Sequence, residues 1–229
     1  MVNTVGSCQT NKFWNKQWIS VKNRLELNKK QKDIIVGSLL GDGTMRIGEN
    51  ARNANFKVEQ GLEQKDYVFW KYFKLEPWVF TPPKVSFRYQ QVTKKKYPKS
   101  WWFRTIRHPL LTEIYYDFYV GSNYRTGKKV IPKWIKDSLT PLVLAVWIMD
   151  DGSFNRNIID ISTYAFSLQD VKGIQRIFEE RYQVKTSCYR DRNLGHRLYF
   201  PCNETKKIIQ IIRPYIIPTM IYKIGLTTP

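Results

Sequence analysis

The sequence predicts an α+β fold made of two pseudo-symmetric repeats. Each repeat reads as an antiparallel sheet with helices on one face, and the repeats join at a seam of two helices. Three observations predict this. An apolar run of nine residues ending in Asp-Gly occurs twice, as Ile35–Gly43 and Leu144–Gly152. Its closing acids, Asp42 and Asp151, stand 109 residues apart in a chain of 229. After each run the pattern passes through alternating strand, helix, hairpin and helix in the same order.

Taken in order, residues 1–29 read as a basic arm with a short helix, carrying Lys12, Lys16, Trp14 and Trp18. A basic tail without structure is the competing reading for its first residues. Residues 30–120 form the first repeat. Asn28 caps the helix over 30–41, with Gln31 completing a capping box. Gly43 is expected to stop it. Thr44–Ile47 begins a strand. Residues 53–60 alternate: Ala54, Phe56 and Val58 on a dry face, Asn53, Asn55, Lys57 and Glu59 on a wet one. Residues 63–75 suit a helix with Tyr67, Trp70, Phe73 and the stem of Lys74 inward. Val85, Phe87 and Tyr89 alternate with Lys84, Ser86, Arg88 and Gln90. Lys94–Lys96 makes a charged turn, and 99–107 returns as the hairpin partner. Residues 109–119 form a helix.

Residues 121–133 read as a linker, most clearly over 121–128. The second repeat, 134–229, starts its motif helix at Thr140-Pro141 and runs over 141–150, stopped by Gly152. A strand over 157–163, a helix over 167–181, a hairpin of 183–192 with 196–200, a helix over 203–213 and a short helix over 217–222 follow. Gly37 and Gly41 lie one turn apart, so the two motif helices can approach closely, with Ala145 opposite. Both carboxylates then emerge together, which is costly unless a divalent cation shares them.

Composition narrows the partner. Hydrophobic residues make up 42% of the chain, enough to fold. The net charge of +19 points to a polyanion. A merely soluble basic surface is the alternative, but the aromatic share of 15%, with eight Trp, is high for one. Between Pro77 and Thr112 there are eight Lys or Arg and no Asp or Glu, so the basic excess concentrates on the first hairpin. Cys8, Cys188 and Cys202 have no disulfide spacing, which fits a reducing, intracellular compartment. His108 and His196 are the only histidines, which excludes a histidine-rich zinc site. No apolar stretch is long enough to span a membrane.

The paired runs resemble the two signature motifs of the LAGLIDADG homing endonucleases in their single-chain, two-repeat form. The second copy is most similar to the branch of the yeast mitochondrial omega-intron enzyme. Lys128–Pro132 and Ile217–Lys223 match further blocks of that branch, so the resemblance covers nearly all of the chain beyond residue 30. It implies saddle-like sheets astride double-stranded DNA, and a monomer that hydrolyses both strands at one long asymmetric site. It also implies an organellar setting, mitochondrion or chloroplast. An intron-RNA maturase of the same fold and a non-catalytic DNA-binding regulator are the rival readings, with intron RNA as the maturase's partner.

The resemblance implies that Asp42 and Asp151 are catalytic and hold Mg²⁺, with Mn²⁺ as a substitute and with Gly41 and Asp150 beside them at the metal. Each Asp is otherwise a helix-terminal residue opposing the dipole, ordinary once but not at two equivalent places. Lys129 and Lys223 match basic residues near the metal centre and would steady transition-state charge; Lys128 is a substitute for Lys129. Glu59 and Asn193 are expected beside the same cleft. The wet strand faces supply the DNA-binding set, Arg46, Asn53, Asn55, Lys57, Arg88, Gln90, Arg104, Arg190 and Arg192. Arg can read guanine and Asn or Gln adenine in the major groove, while most lysines contact phosphate.

Overall fold

A computed structural model describes Ser20, Lys22 and residues 24–121, 127–192 and 194–227. Most of the expected arm, the centre of the expected linker and Asn193 lie outside these. In the first half α1 (Lys29–Leu40) leads into β1 (Thr44–Ile47), β2 (Ala54–Gly61), α2 (Lys65–Lys74), β3 (Lys84–Gln90), β4 (Lys95–Arg104) and α3 (Pro109–Phe118). Two short strands, β5 (Tyr119–Val120) and β6 (Lys128–Lys129), pair across the stretch read as linker. One helical turn, α4 (Ile135–Ser138), precedes the second half. That half runs α5 (Pro141–Asp151), β7 (Gly152–Asn155), β8 (Ile158–Ser162), α6 (Leu168–Tyr182), β9 (Ser187–Asp191), β10 (Gly195–Phe200) and α7 (Cys202–Ile212). A 3-10 segment, Pro218–Ile224, follows.

Both halves build a four-stranded antiparallel sheet with the same permutation, β1-β2-β4-β3 and β7-β8-β10-β9. The α+β fold with two repeats is therefore present. Strand β7 is the element that the sequence hides. Its turn is Arg156-Asn157, both left-handed at φ 47° and 64°. Hairpin turns of two residues favour that geometry, but the Asn-Gly or Asp-Gly signature is absent.

The helix starts follow their capping residues. Asn28 accepts from Gln31 N while the Gln31 side chain accepts from Asn28 N, at 2.9 and 3.2 Å. Thr140 Oγ1 accepts from Val143 N at 3.2 Å, with Pro141 at the first helical position. The ends differ from expectation. Neither Gly43 nor Gly152 has a left-handed φ. They are glycines for want of room: a Cβ at Gly43 would lie 2.7 Å from Ser38 O, and one at Gly152 2.5 Å from Ile148 O. The two ends also differ from each other: α1 ends before Asp42, which sits in a turn, whereas Asp151 is the last residue of α5.

Helices α1 and α5 lie side by side at the centre of the molecule. From Val143 to Asp150 every residue of α5 is buried, as expected of a helix that is apolar all round. The close approach occurs at Gly37 and Gly41, but the partners are not Ala145. A Cβ at Gly37 would meet Val143 O and Val146 Cβ, both at 2.7 Å, and one at Gly41 would meet Asp150 Cβ at 2.5 Å. At the other end of the seam, Thr140 Oγ1 donates to Asp33 Oδ2 at 2.8 Å.

The amphipathic reading of α2 is corrected. In α2 the inward residues are Tyr67, Val68 and Lys71, while Phe73 is 63% exposed and Lys74 is also exposed. The stripe is rotated because Lys71 has an inward partner, described below. In β3, Phe87 and Tyr89 are 60% and 52% exposed despite their alternation. Residues 87–99 are exposed on both faces of the hairpin, and a bulge at Ser86/Phe87 marks where this uncovered part begins.

The seam yields a paired prediction. Gly37→Ala should cost about 1–3 kcal/mol, because it overpacks a backbone contact. Gly173→Ala in α6, where a Cβ meets nothing within 4 Å, should be neutral or stabilise by about 0.5–1 kcal/mol. Urea unfolding of both variants measures the difference; equal stabilities would mean that α1 and α5 do not touch at Gly37.

Candidate active site

The two motif helices end at the same place, and the chain there repeats itself in detail. Lys129 Nζ donates to Gly41 O at 2.8 Å and Gly43 O at 3.1 Å. Lys223 Nζ donates to Gly152 O at 2.8 Å and Asp150 O at 3.3 Å. In each half one ammonium therefore bridges the carbonyls before and after the closing acid. It satisfies helix-end acceptors and opposes the negative end of the dipole. Lys129 reaches its place from β6, and Lys223 from the 3-10 segment.

Asp42 is exposed and Asp151 half-buried. Burial, then the charges of Asp42 and Asp150, push the Asp151 carboxyl up to about 8. Burial likewise brings the Lys129 ammonium down to about 8, against the pull of the three acids. The end of the seam is thus a tight cluster of carboxylates flanked by two lysines.

Asp150 differs from its neighbours. Its side chain is wholly buried and points into the first half, where Lys71 Nζ donates to Oδ1 and Oδ2 at 2.8 and 3.0 Å. The Lys71 side chain is also fully buried, and its ammonium lies 4.3 Å from the centroid of Tyr67. Gln60 Nε2 donates to Asp150 Oδ1 and to Asp42 Oδ2, both at 3.0 Å. Gln60 can do this because it is in register with Val58 and Phe56 on the inward side of β2. Lys71 and Gln60 escape the sequence reading, although a Gln on a dry face and a Lys four residues after Tyr67 were both visible signals.

A cleft of about 380 Å³ opens beside Asp42, lined also by Lys57, Glu59, Gln60, Lys99 and Ser100. Glu59 is held down to about 2, first by its hydrogen bond from Lys57 and then by that from Ser100. Cross-strand register aligns Arg46 with Asn55 and Lys57 with Arg104. These four residues share the outer face of the first sheet, and alternation along β3 continues it through Arg88 and Gln90. Asn55 is only 5% exposed, and Lys57 is paired with Glu59 at 2.5 Å. Asn53 precedes β2 and accepts from Thr112 Oγ1 at 3.2 Å.

The second sheet separates its expected pair. Arg190 pairs with His196, in register with inward-facing Cys188 and Leu198, so it falls on the helix side. Arg192 lies in the turn, exposed and left-handed. The outer face instead presents Arg197, which the sequence reading missed. Its guanidinium holds Asp160 and donates to Ser162 Oγ and Tyr164 Oη, each at 2.9 Å. Strand parity alone would have indicated Arg197, once the β8–β10 pairing was known.

Comparison with known proteins matches the LAGLIDADG DNA endonuclease family over residues 32–208. DNA endonuclease I-ChuI of Chlamydomonas applanata is 30% identical, over 88% of this chain and 97% of its own. Cytochrome b mRNA maturase bI2 of Saccharomyces cerevisiae is 29% identical over 87% of this chain, which spans 48% of that protein. Among solved structures, the homing endonuclease I-WcaI bound to its DNA recognition sequence superposes with a TM-score of 0.79 at 22% identity. That match covers 100% of this chain and 96% of the other, and it shows the shared fold.

The buried pair sets the prediction here. Lys71→Met leaves the Asp150 carboxylate without its cation and should cost about 3–5 kcal/mol. Adding Asp150→Asn should recover much of that loss. Denaturant unfolding of the single and double variants checks both; a single-variant loss below about 1 kcal/mol would contradict the pair.

Proposed function

The chain belongs to the LAGLIDADG DNA endonuclease family, and we propose that it is a monomeric homing endonuclease that cuts both strands of one long asymmetric DNA site using a divalent cation. The observation that carries this reading is the presence of one carboxylate per half, Asp42 and Asp151, at adjoining helix ends with one lysine beside each. Two such sites in one chain suit two scissile phosphates in two antiparallel strands.

The donor set fits a hard cation. Burial first, and then repulsion from Asp42 and Asp150, raise the Asp151 carboxyl, and a divalent ion would favour its charged form. Among the described residues no group of three or more His, Cys, Asp or Glu side chains would enclose a metal. Two carboxylates leave room for water and phosphate oxygens, as Mg²⁺ prefers, with Mn²⁺ as a substitute. Asp42 and Asp151 would hold it. Gly41 and Asp150 would lie beside it, although their carbonyl oxygens already accept from Lys129 and Lys223 and the Asp150 side chain is committed to Lys71. Bound there, the cation would activate water and stabilise the leaving oxygen. Lys129 and Lys223 keep the helix-end carbonyls fixed and bring positive charge towards the phosphate.

The outer sheet faces, with Arg46, Asn55, Lys57, Arg88, Gln90 and Arg104 in the first half, would lie on the duplex. The division into an arm (1–29), two repeats (30–120 and 134–229) and a linker (121–133), and an organellar intron as the source, belong to the same proposal. A maturase role is the second reading, favoured by the maturase among the relatives; retention of both acids favours the nuclease. Splicing of the host intron in the presence of the protein would support the maturase.

Two outcomes are expected. Asp42→Asn or Asp151→Asn should abolish double-strand cleavage in Mg²⁺ while binding to the site changes less than about threefold (roughly 0.6 kcal/mol); a single variant that still cuts both strands at the wild-type rate would sink the assignment. Binding should also weaken steeply with salt, by a factor on the order of 10³ or more between 50 and 200 mM, if six or more phosphates are contacted. Gel-shift titration at the two salts measures this, and a flat response would contradict a phosphate-tracking surface.

A further inference from the structure

The two acids occupy corresponding places in the two motifs, yet among the described residues only Asp42 accepts a side-chain hydrogen bond from behind, from Gln60. We infer that Gln60, backed by the Lys71–Asp150 ion pair, is a positioning residue for Asp42 alone, and that it makes the two halves of the active site unequal. The inference rests on the endonuclease reading and concerns how that site is built.

The geometry is specific. A primary amide has two N–H groups on one nitrogen, so Nε2 of Gln60 can serve two acceptors at once. It does so here, at 3.0 Å to Asp42 Oδ2 and 3.0 Å to Asp150 Oδ1. The opposite amide orientation would set a carbonyl oxygen against two carboxylates and is excluded by repulsion. Asp150 is fixed in turn by two hydrogen bonds from the buried Lys71 and by its packing against Gly41, where no Cβ fits. The chain Lys71–Asp150–Gln60–Asp42 therefore runs from α2, across the seam to α5, back to β2 and out to the exposed acid. It fixes the rotamer of Asp42 through a group of the other half.

The second half has no counterpart. Thr44 pairs with Lys57 and Lys57 with Arg104; Ser153 pairs with Asp160 and Asp160 with Tyr199. This register places Thr163 where Gln60 stands. Thr163 Oγ1 donates to His196 O at 2.6 Å, within its own sheet. The buried face of α6 is Val171, Ile174 and Phe178, with no cation. The position before the acid is Gly41 in motif one and Asp150 in motif two, so an anion to be clamped exists only once. At Asp151, Lys223 holds the flanking carbonyls of Asp150 and Gly152 rather than the carboxylate itself.

Loss of the Gln60 bridge should thus impair the strand cut that depends on Asp42 more than the other, turning a double-strand cutter towards a nickase. The experiment selects a target with the wild-type protein from a randomised duplex library in Mg²⁺. It then follows single-turnover cleavage of that duplex with each strand labelled separately. Gln60→Met removes both hydrogen bonds in a side chain of similar size. Gln60→Asn keeps polarity but is one methylene too short to span both carboxylates, and it guards against a failure of Gln60→Met to fold. Melting curves identify the folded variants. At least tenfold slowing of one strand, with the other within threefold, is expected for each folded Gln60 variant. Thr163→Val should leave the ratio of the two strand rates unchanged. Equal slowing of both strands, or none, in a folded variant would overturn the inference. A wild-type protein that selects and cuts no site would defeat the endonuclease reading instead.

Discussion

The backbone contact between α1 and α5 is the constraint on which everything else depends. At Gly37 and Gly41 the helices approach so closely that no side chain would fit. This contact fixes the distance between the halves, and with it the distance between two carboxylates carried at the helix ends. Placing like charges together at the negative ends of two dipoles is unfavourable. The structure compensates locally, with a lysine on each pair of terminal carbonyls. Each lysine thereby offsets part of the charge that the two motifs bring together.

Burial divides the three acids of the seam by role. Asp42 reaches solvent, Asp151 is intermediate, and Asp150 faces inward. A fully buried carboxylate needs a cation at hydrogen-bond distance, and Lys71 supplies it from a helix that otherwise buries apolar groups. That pairing rotates α2, turns Phe73 outward and ties the first half to the second by charge as well as by packing. The identity of the residue before each closing acid follows from the same geometry. Glycine is required in motif one because the aspartate of motif two occupies the space.

The sheets show how one permutation can serve two surfaces. In the first half the outer face combines basic residues with a cleft that reaches Asp42. In the second half Arg197 is already engaged by Asp160 and Tyr164. A pseudo-symmetric scaffold thus presents two unlike outer faces.

Apart from Lys129 and Lys223, to which the family resemblance pointed, the sequence by itself determined the repeat with its two closing acids, the caps at Asn28 and Thr140, and most strand and helix positions. Each of these is written locally, in a motif, a capping residue or an alternation. Only the tertiary structure decided which wet residues share a face, because parity has meaning only once strands are paired; Arg190 and Arg197 exchange roles for that reason. It also decided the short β7 hairpin, whose Arg-Asn turn lacks the usual dipeptide, and the exposure of Phe87 and Tyr89 beyond the bulge. The Lys71–Asp150–Gln60 chain was decided in the same way. Its members come from three elements, and a lysine becomes a core residue only when folding brings it to a carboxylate 79 residues away.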